Sequence, residues 1–145
     1  MKHVDIYTMQ SIRSQKPRNG CGCLILAYRT EQGTADFTKF IEIEDATANK
    51  AELITLNEAL SHLKEPCELS VYTESGYIAS GAEWMKGWQE NDWKNSKGEE
   101  IANIQYWQEF AERSKPHEIE YKVKENHEYR EWMTTEVRKR SENHV

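Results

Sequence analysis

Apolar and polar residues alternate with a period of two along the first third of the chain. VDIYT at 4–8, CGCLILAYR at 21–29 and FTKFIEIE at 37–44 each read as a strand. The links between them are polar and short: SIRSQKPRNG at 11–20, closing on Pro17 and Asn19-Gly20, and EQGTAD at 31–36. That arrangement suits an antiparallel meander. The period then changes to 3.6. In TANKAELITLNEALSHLK at 47–64, Leu53, Leu56, Leu60 and Leu63 make one apolar face of a helix, and Pro66 ends it. Asn49 with Glu52 three residues on is the better capping-box pattern, with Thr47 as the other candidate cap. CELSVYTE at 67–74 is a strand entered straight after the helix, and a strand–helix–strand crossover of this length makes a parallel pair.

An aromatic-rich helical region over 75–100 follows, which Gly81, Gly87 and Gly98 are expected to break into short pieces. Ile101 to Arg113 reads as a helix with Ile101, Ile104, Trp107 and Ala111 on one face, stopped by Pro116. HEIEYKVK at 117–124 alternates as a final strand, and a polar helix carrying Trp132, Met133 and Val137 runs from about His127 to Arg140. The expected architecture is α/β: a five-stranded mixed sheet, its first three strands antiparallel, flanked by helices. It forms one domain over 1–140, with 141–145 expected to fray. An open α/β sheet places its site beyond the carboxyl ends of the parallel strands. The search therefore narrows to Thr8-Met9 and Thr73-Glu74.

Composition sharpens the picture in three ways. A net charge of -6 over 145 residues argues against gripping nucleic acid by bulk charge, while leaving a local groove open. No apolar run is long enough to span a membrane, and MKHVDIYTMQ at the start has no long apolar segment or cleavage-like site, so neither a membrane span nor a signal peptide is expected. Three cysteines, Cys21, Cys23 and Cys67, fit a reducing compartment, so a cytoplasmic monomer is expected. With no second CxxC and no suitably spaced histidine pair, these read as buried free thiols rather than a zinc site. The acidic residues are lopsided: 21 are Glu and only four are Asp (Asp5, Asp36, Asp45, Asp92). A mechanism needing several short, stiff carboxylates is constrained from the start.

YTMQS at 7–11, NKAEL at 49–53, YTESGY at 72–77 and the Trp-rich run with IANIQYWQ at 101–108 stand in an order and spacing that covers nearly the whole chain. Together they resemble ribonuclease H, the family that cuts the RNA strand of an RNA–DNA hybrid. The resemblance implies a five-stranded mixed sheet and a carboxylate cluster drawn from strand one, the first long helix, the end of strand four and the last helix. It also implies two divalent ions, Mg²⁺ or Mn²⁺, that activate water and stabilise the leaving oxygen. Residue by residue the match is partial. Met9 stands where the family has Asp, and Gln10 where Gly is usual. Glu52 matches the helix glutamate, Glu74 falls where Asp is expected, and counting without a gap puts Glu136 at the last-helix Asp position. Glu125-Asn126 replaces the Gly-His loop, and His127 lies one residue from the family's loop histidine.

A thioether is a poor ligand for a hard ion, so Met9 removes charge where two cations would sit together; it reads as a plug packed into a vacated pocket. Asp5 is four residues upstream, roughly 13 Å along a strand, and is no simple replacement. Glu52 and Glu74 remain as candidate metal ligands, and Glu52, Glu74 and Glu136 as the candidate catalytic set. Trp84, Trp88 and Trp93 read as packing residues, and the protrusion where the family carries a basic handle is acidic, QENDWKNSKGEE. Arg13, Lys16 and Arg18 in the first loop make the best basic patch; with Ser11 and with Asn49 from the helix start they are the candidate nucleic-acid contacts. Three readings stay open. One is a ribonuclease H-like domain with a degraded two-metal site that is weakly active or inactive and binds nucleic acid. The second is an active metal-dependent nuclease, and the third a non-catalytic protein-interaction module.

Overall fold

The computed structural model describes residues 1–142. β1 (Lys2–Gln10), β2 (Arg18–Thr30) and β3 (Gly33–Ala46) form an antiparallel meander in which only Glu31 and Gln32 separate the last two strands. α1 (Ala48–Ser61) crosses over to β4 (Cys67–Thr73), which pairs in parallel with β1. α2 (Tyr77–Glu90) and α3 (Ile104–Ser114) lead to β5 (Glu118–Val123), parallel to β4, and α4 (Arg130–Glu142) closes the chain. The sheet order is β3-β2-β1-β4-β5, as the alternation and the crossover length imply.

Alternation along the strands builds a core on each face of the sheet, and Ile12, Ile43, Ala46 and Ala51 form a third buried cluster beside the start of α1. Val4, Ile6, Leu24, Leu26, Leu69 and Val71 face α1, α2 and α3, where Leu53, Leu56, Leu60, Ile78, Trp107 and Phe110 pack onto them. Tyr7, Met9, Cys21, Cys23, Ile25 and Ala27 face the other way and are covered by Met133 and Val137 of α4. Each fully buried Leu or Phe contributes about 1.5–3 kcal/mol of transfer free energy. α1 is therefore held by its leucine face, not by propensity. All three cysteines are buried and free. No helix among the described residues is long and apolar enough to cross a membrane.

Several elements differ from the sequence expectation. α2 runs unbroken through Gly81 and Gly87. At Gly81 the missing side chain serves packing: a Cβ there would sit 2.1 Å from Cη2 of Trp107. Thr47, not Asn49, caps α1, its hydroxyl accepting from Lys50 N at 3.2 Å. Trp88 and Trp93 pack against the core, but Trp84 is 67% exposed and anchors nothing. α4 extends through Glu142, so Ser141 and Glu142 of the expected frayed tail are helical, while 143–145 lie outside the described residues.

Gly81 and Gly87 share a helix but not an environment, since nothing lies within 4 Å of a Cβ built at Gly87. Gly87→Ala is expected to raise stability by about 0.5–1 kcal/mol, the ordinary helix-interior gain. Gly81→Ala is expected to lower it by about 1–3 kcal/mol through overpacking against Trp107. Urea denaturation of the two variants checks the opposite signs.

Candidate functional site

Parallel pairing brings the carboxyl ends of β1 and β4 side by side, and α1 begins beside them. At the end of β1 the alternation sends Met9 and Gln10 to opposite faces of the sheet. Met9 goes to the α4 side, where it is 2% exposed and packed with Met133 and Val137. The Thr134 hydroxyl lies 3.8 Å from its sulfur.

Gln10 goes to the α1 side. Its Nε2 donates to Glu52 Oε1 at 3.1 Å, and its Oε1 accepts from Ile12 N at 2.6 Å. The Arg13 guanidinium donates to the Gln10 carbonyl. Thr73, at the end of β4, donates from Oγ1 to Glu52 Oε2 at 3.2 Å. Both oxygens of a carboxylate that is only 5% exposed are thus engaged by neutral donors from the two strands ending here. Burial pushes the Glu52 pKa above the usual carboxylate range; the Gln10 and Thr73 hydrogen bonds and the Arg13 charge pull it back, and the Glu74 charge adds to the rise.

Glu74 is half-buried at the start of the segment after β4. Its Oε1 accepts from Arg130 at 3.1 Å (Nε) and 2.8 Å (Nη2). Glu52, Glu74 and Asn49 line one cavity of about 300 Å³ with Gln10 and Arg13; Glu136 does not line it. Glu136 meets Lys139 and Arg140 of its own helix, each at 3.8 Å. It stands two residues past Thr134, roughly 200° further round α4, and Thr134 is the residue that α4 sets against Met9. His127 packs its ring against Tyr7 at 4.5 Å and Tyr72 at 5.4 Å, and its Nδ1 accepts from Tyr129 N at 3.2 Å. Burial lowers its pKa, which favours the neutral ring, against the opposing charges of Glu74 and Glu128.

The first loop is ordered by backbone contacts. Ser11 Oγ accepts from Cys21 N at 2.9 Å, and Lys16 N donates to Ser14 Oγ at 2.9 Å. Lys16 and Arg18 are exposed, and Arg18 opens β2. Four residues that organise the site escape a motif-by-motif reading: Gln10, Thr73, Arg130 and Thr134. For Gln10 the signal was present, since a large amide in the place of a usual Gly must put its side chain somewhere.

A pair of divalent ions does not fit this donor set. Mg²⁺ needs near-octahedral oxygen coordination. Here the strand-one position offers sulfur, both Glu52 oxygens face hydrogen-bond donors, and Glu74 faces a guanidinium. Among the described residues no group of three or more His, Cys, Asp or Glu is placed to hold a metal ion.

The RNase H family model matches residues 1–131. The chain belongs to the ribonuclease H family. It is 41% identical over 129 residues to the ribonuclease H of Caldicellulosiruptor saccharolyticus, covering 88% of this chain and 86% of that one. It is 33% identical to that of Acetivibrio thermocellus, covering 97% and 99%. In fold it is similar to LC9-RNase H1, described as a type 1 RNase H with the type 2 active-site motif, with a TM-score of 0.80 at 20% identity over 100% of this chain and 74% of that one. It is also similar in fold to the foamy viral protease-reverse transcriptase in complex with RNA/DNA hybrid, with a TM-score of 0.62 at 14% identity over 98% of this chain and 19% of that one. The family match ends at residue 131, within the first turn of α4. Thr134 and Glu136 lie beyond it.

The Glu52 environment has a definite pH signature. A carboxyl whose pKa is raised on folding binds more protons folded than unfolded, so its contribution to stability declines as pH rises from the unfolded pKa through the folded one. Glu52→Gln removes that ionisation and keeps an oxygen for Gln10. The variant is expected to match the parent in thermal stability near pH 4 and to exceed it at pH 7, with a flatter profile between. Melting curves across that range check it.

Proposed function

We propose that this ribonuclease H-family domain holds nucleic acid along the cleft at the carboxyl ends of β1 and β4 and hydrolyses it weakly or not at all. The observation that carries the reading is the state of Glu52: each of its two oxygens already accepts a buried hydrogen bond, from Gln10 and from Thr73, so neutral protein donors stand beside both oxygens where ions would have to approach. The ion pair of Glu74 with Arg130 acts in the same direction, since Arg130 already supplies the positive charge that a cation would bring. In-line attack between two ions requires a carboxylate shared by both, and Met9 brings none. Ser11, Arg13, Lys16, Arg18 and Asn49 are the proposed contacts to the backbone of an RNA–DNA hybrid. Asn49 supports this by lining the cavity shared by Glu52 and Glu74.

The test is incubation of the purified protein with a labelled RNA–DNA hybrid in Mg²⁺ and then Mn²⁺, beside Glu52→Gln. The expected result is retention of the hybrid on the protein, with at most slow cleavage that does not reach one turnover per protein molecule. Multiple-turnover cleavage that is lost in Glu52→Gln overturns the proposal in favour of an active nuclease. A second outcome follows from the same account. Met9→Asp with Gln10→Gly and Thr134→Asp restores hard ligands and frees Glu52, and is expected to raise divalent-ion affinity at least about tenfold by calorimetric titration.

A further inference from the structure

Two guanidiniums near the Met9 plug are not absorbed by the account of the carboxylates. Arg13 lines the cavity that holds Glu52 and Glu74 and also a neighbouring cavity of about 380 Å³. Arg138 lines that neighbouring cavity from α4 and also a third, of about 700 Å³, which reaches His127 and Arg130. The shared residues set three neighbouring cavities between the amino end of α1 and the loop before α4, with Arg13 common to the first two, Arg138 common to the last two and Arg130 lining the third.

Their engagements differ. Arg130 is paired with Glu74. Arg13 donates only to the backbone carbonyls of Gln10 and Ile12. Arg138 is exposed and has no ion pair within the described residues. Arg138 lies one turn beyond Thr134, on the same side of α4. Ser11, Thr134 and Glu142 line the space between these two guanidiniums; the Thr134 hydroxyl donates to the Arg130 carbonyl at 2.8 Å, which leaves the Ser11 hydroxyl as a side-chain O–H for an anion there. The carboxylates Glu128 and Glu131 border only the third cavity, which places the favourable position for an anion between Arg13 and Arg138.

We propose that the depression between Arg13 and Arg138 seats a phosphodiester group of a nucleic-acid backbone directly, without a metal ion. The inference rests on the nucleic-acid reading above and deepens it: the fixed positive charge at this end of the sheet comes from guanidiniums instead of ions. Arginine suits the role because its planar fork meets two phosphate oxygens at once and its charge is permanent. A hybrid seated this way stays bound when divalent ions are removed. Backbone contact of this kind is insensitive to base sequence and sensitive to salt.

The experiment is fluorescence anisotropy of a labelled RNA–DNA hybrid with the full chain, in EDTA and in Mg²⁺, over a range of NaCl concentrations. Arg138→Gln is the principal variant, because its exposed helical position tolerates Gln without loss of fold. Arg13→Gln is the second. Arg29→Gln, exposed near the turn at the opposite end of the sheet, removes the same charge elsewhere. The expected result is binding in EDTA at least as tight as in Mg²⁺. Arg138→Gln and Arg13→Gln should each weaken it about tenfold and reduce the slope of log affinity against log salt by about 1. Arg29→Gln should change it less than about twofold. Binding that appears only on adding Mg²⁺, or that survives both arginine variants unchanged, overturns the arginine seat while leaving the nucleic-acid reading standing. Absence of hybrid binding in either buffer overturns both.

Discussion

The hydrogen bonds that Glu52 accepts from Gln10 and Thr73 join the first turns of α1 to the ends of the two central parallel strands. A buried carboxylate without partners is costly, by several kcal/mol for the charged form. Something must therefore be directed at Glu52 in any folded state of this chain. In a two-ion site the cations fill that need. Here the side chains of Gln10 and Thr73 do, and Gln10 is in turn fixed by Ile12 N and by the Arg13 guanidinium on its carbonyl. One amide thus links the start of the first loop, at Ile12 N, to the environment of Glu52.

Internal pairing recurs across the sheet. Met9 and Thr134 meet on the α4 face and fill space with a thioether and a hydroxyl. Glu74 meets Arg130, so the charge balance at the end of β4 is internal to the protein. These three arrangements come from different elements, and together they carry the proposal of a degraded two-ion site. The positive charge that remains, on Arg13 and Arg138, lines the cavity they share. On a chain with a net charge of -6, the depression between Arg13 and Arg138 thus sets two guanidiniums against one carboxylate, Glu142.

Much of the fold was legible because periodicity reports burial. The change from alternation to a leucine face at Leu53 and Leu56 marks the crossover helix, and the crossover length implies the parallel pair of β1 and β4. Gly81 and Gly87 misled, because a glycine inside a helix signals a break only when no neighbour needs the space, and Trp107 needs it at Gly81. Trp84 misled because a helical spacing of tryptophans does not say which of them faces outward. In the site, Met9, Glu52 and Glu74 follow from motif position, since they sit at strand ends and in a helix whose registers are fixed by long apolar runs. The α4 residues do not follow, because no apolar run fixes the count between Val123 and Met133. Thr134 was found only by its contact with Met9. Nor can a linear reading show that Gln10 reaches Glu52, which is 42 positions away in the chain.

The central claim is that protein donors have taken the place of ions around Glu52 and Glu74. Its most direct test is a titration of the isotopically labelled protein with Mg²⁺ to millimolar excess, followed by amide NMR. The account predicts no saturable shift at the amides of Met9, Gln10, Glu52 and Glu74. Shifts that cluster on those residues and saturate with a defined affinity would contradict it.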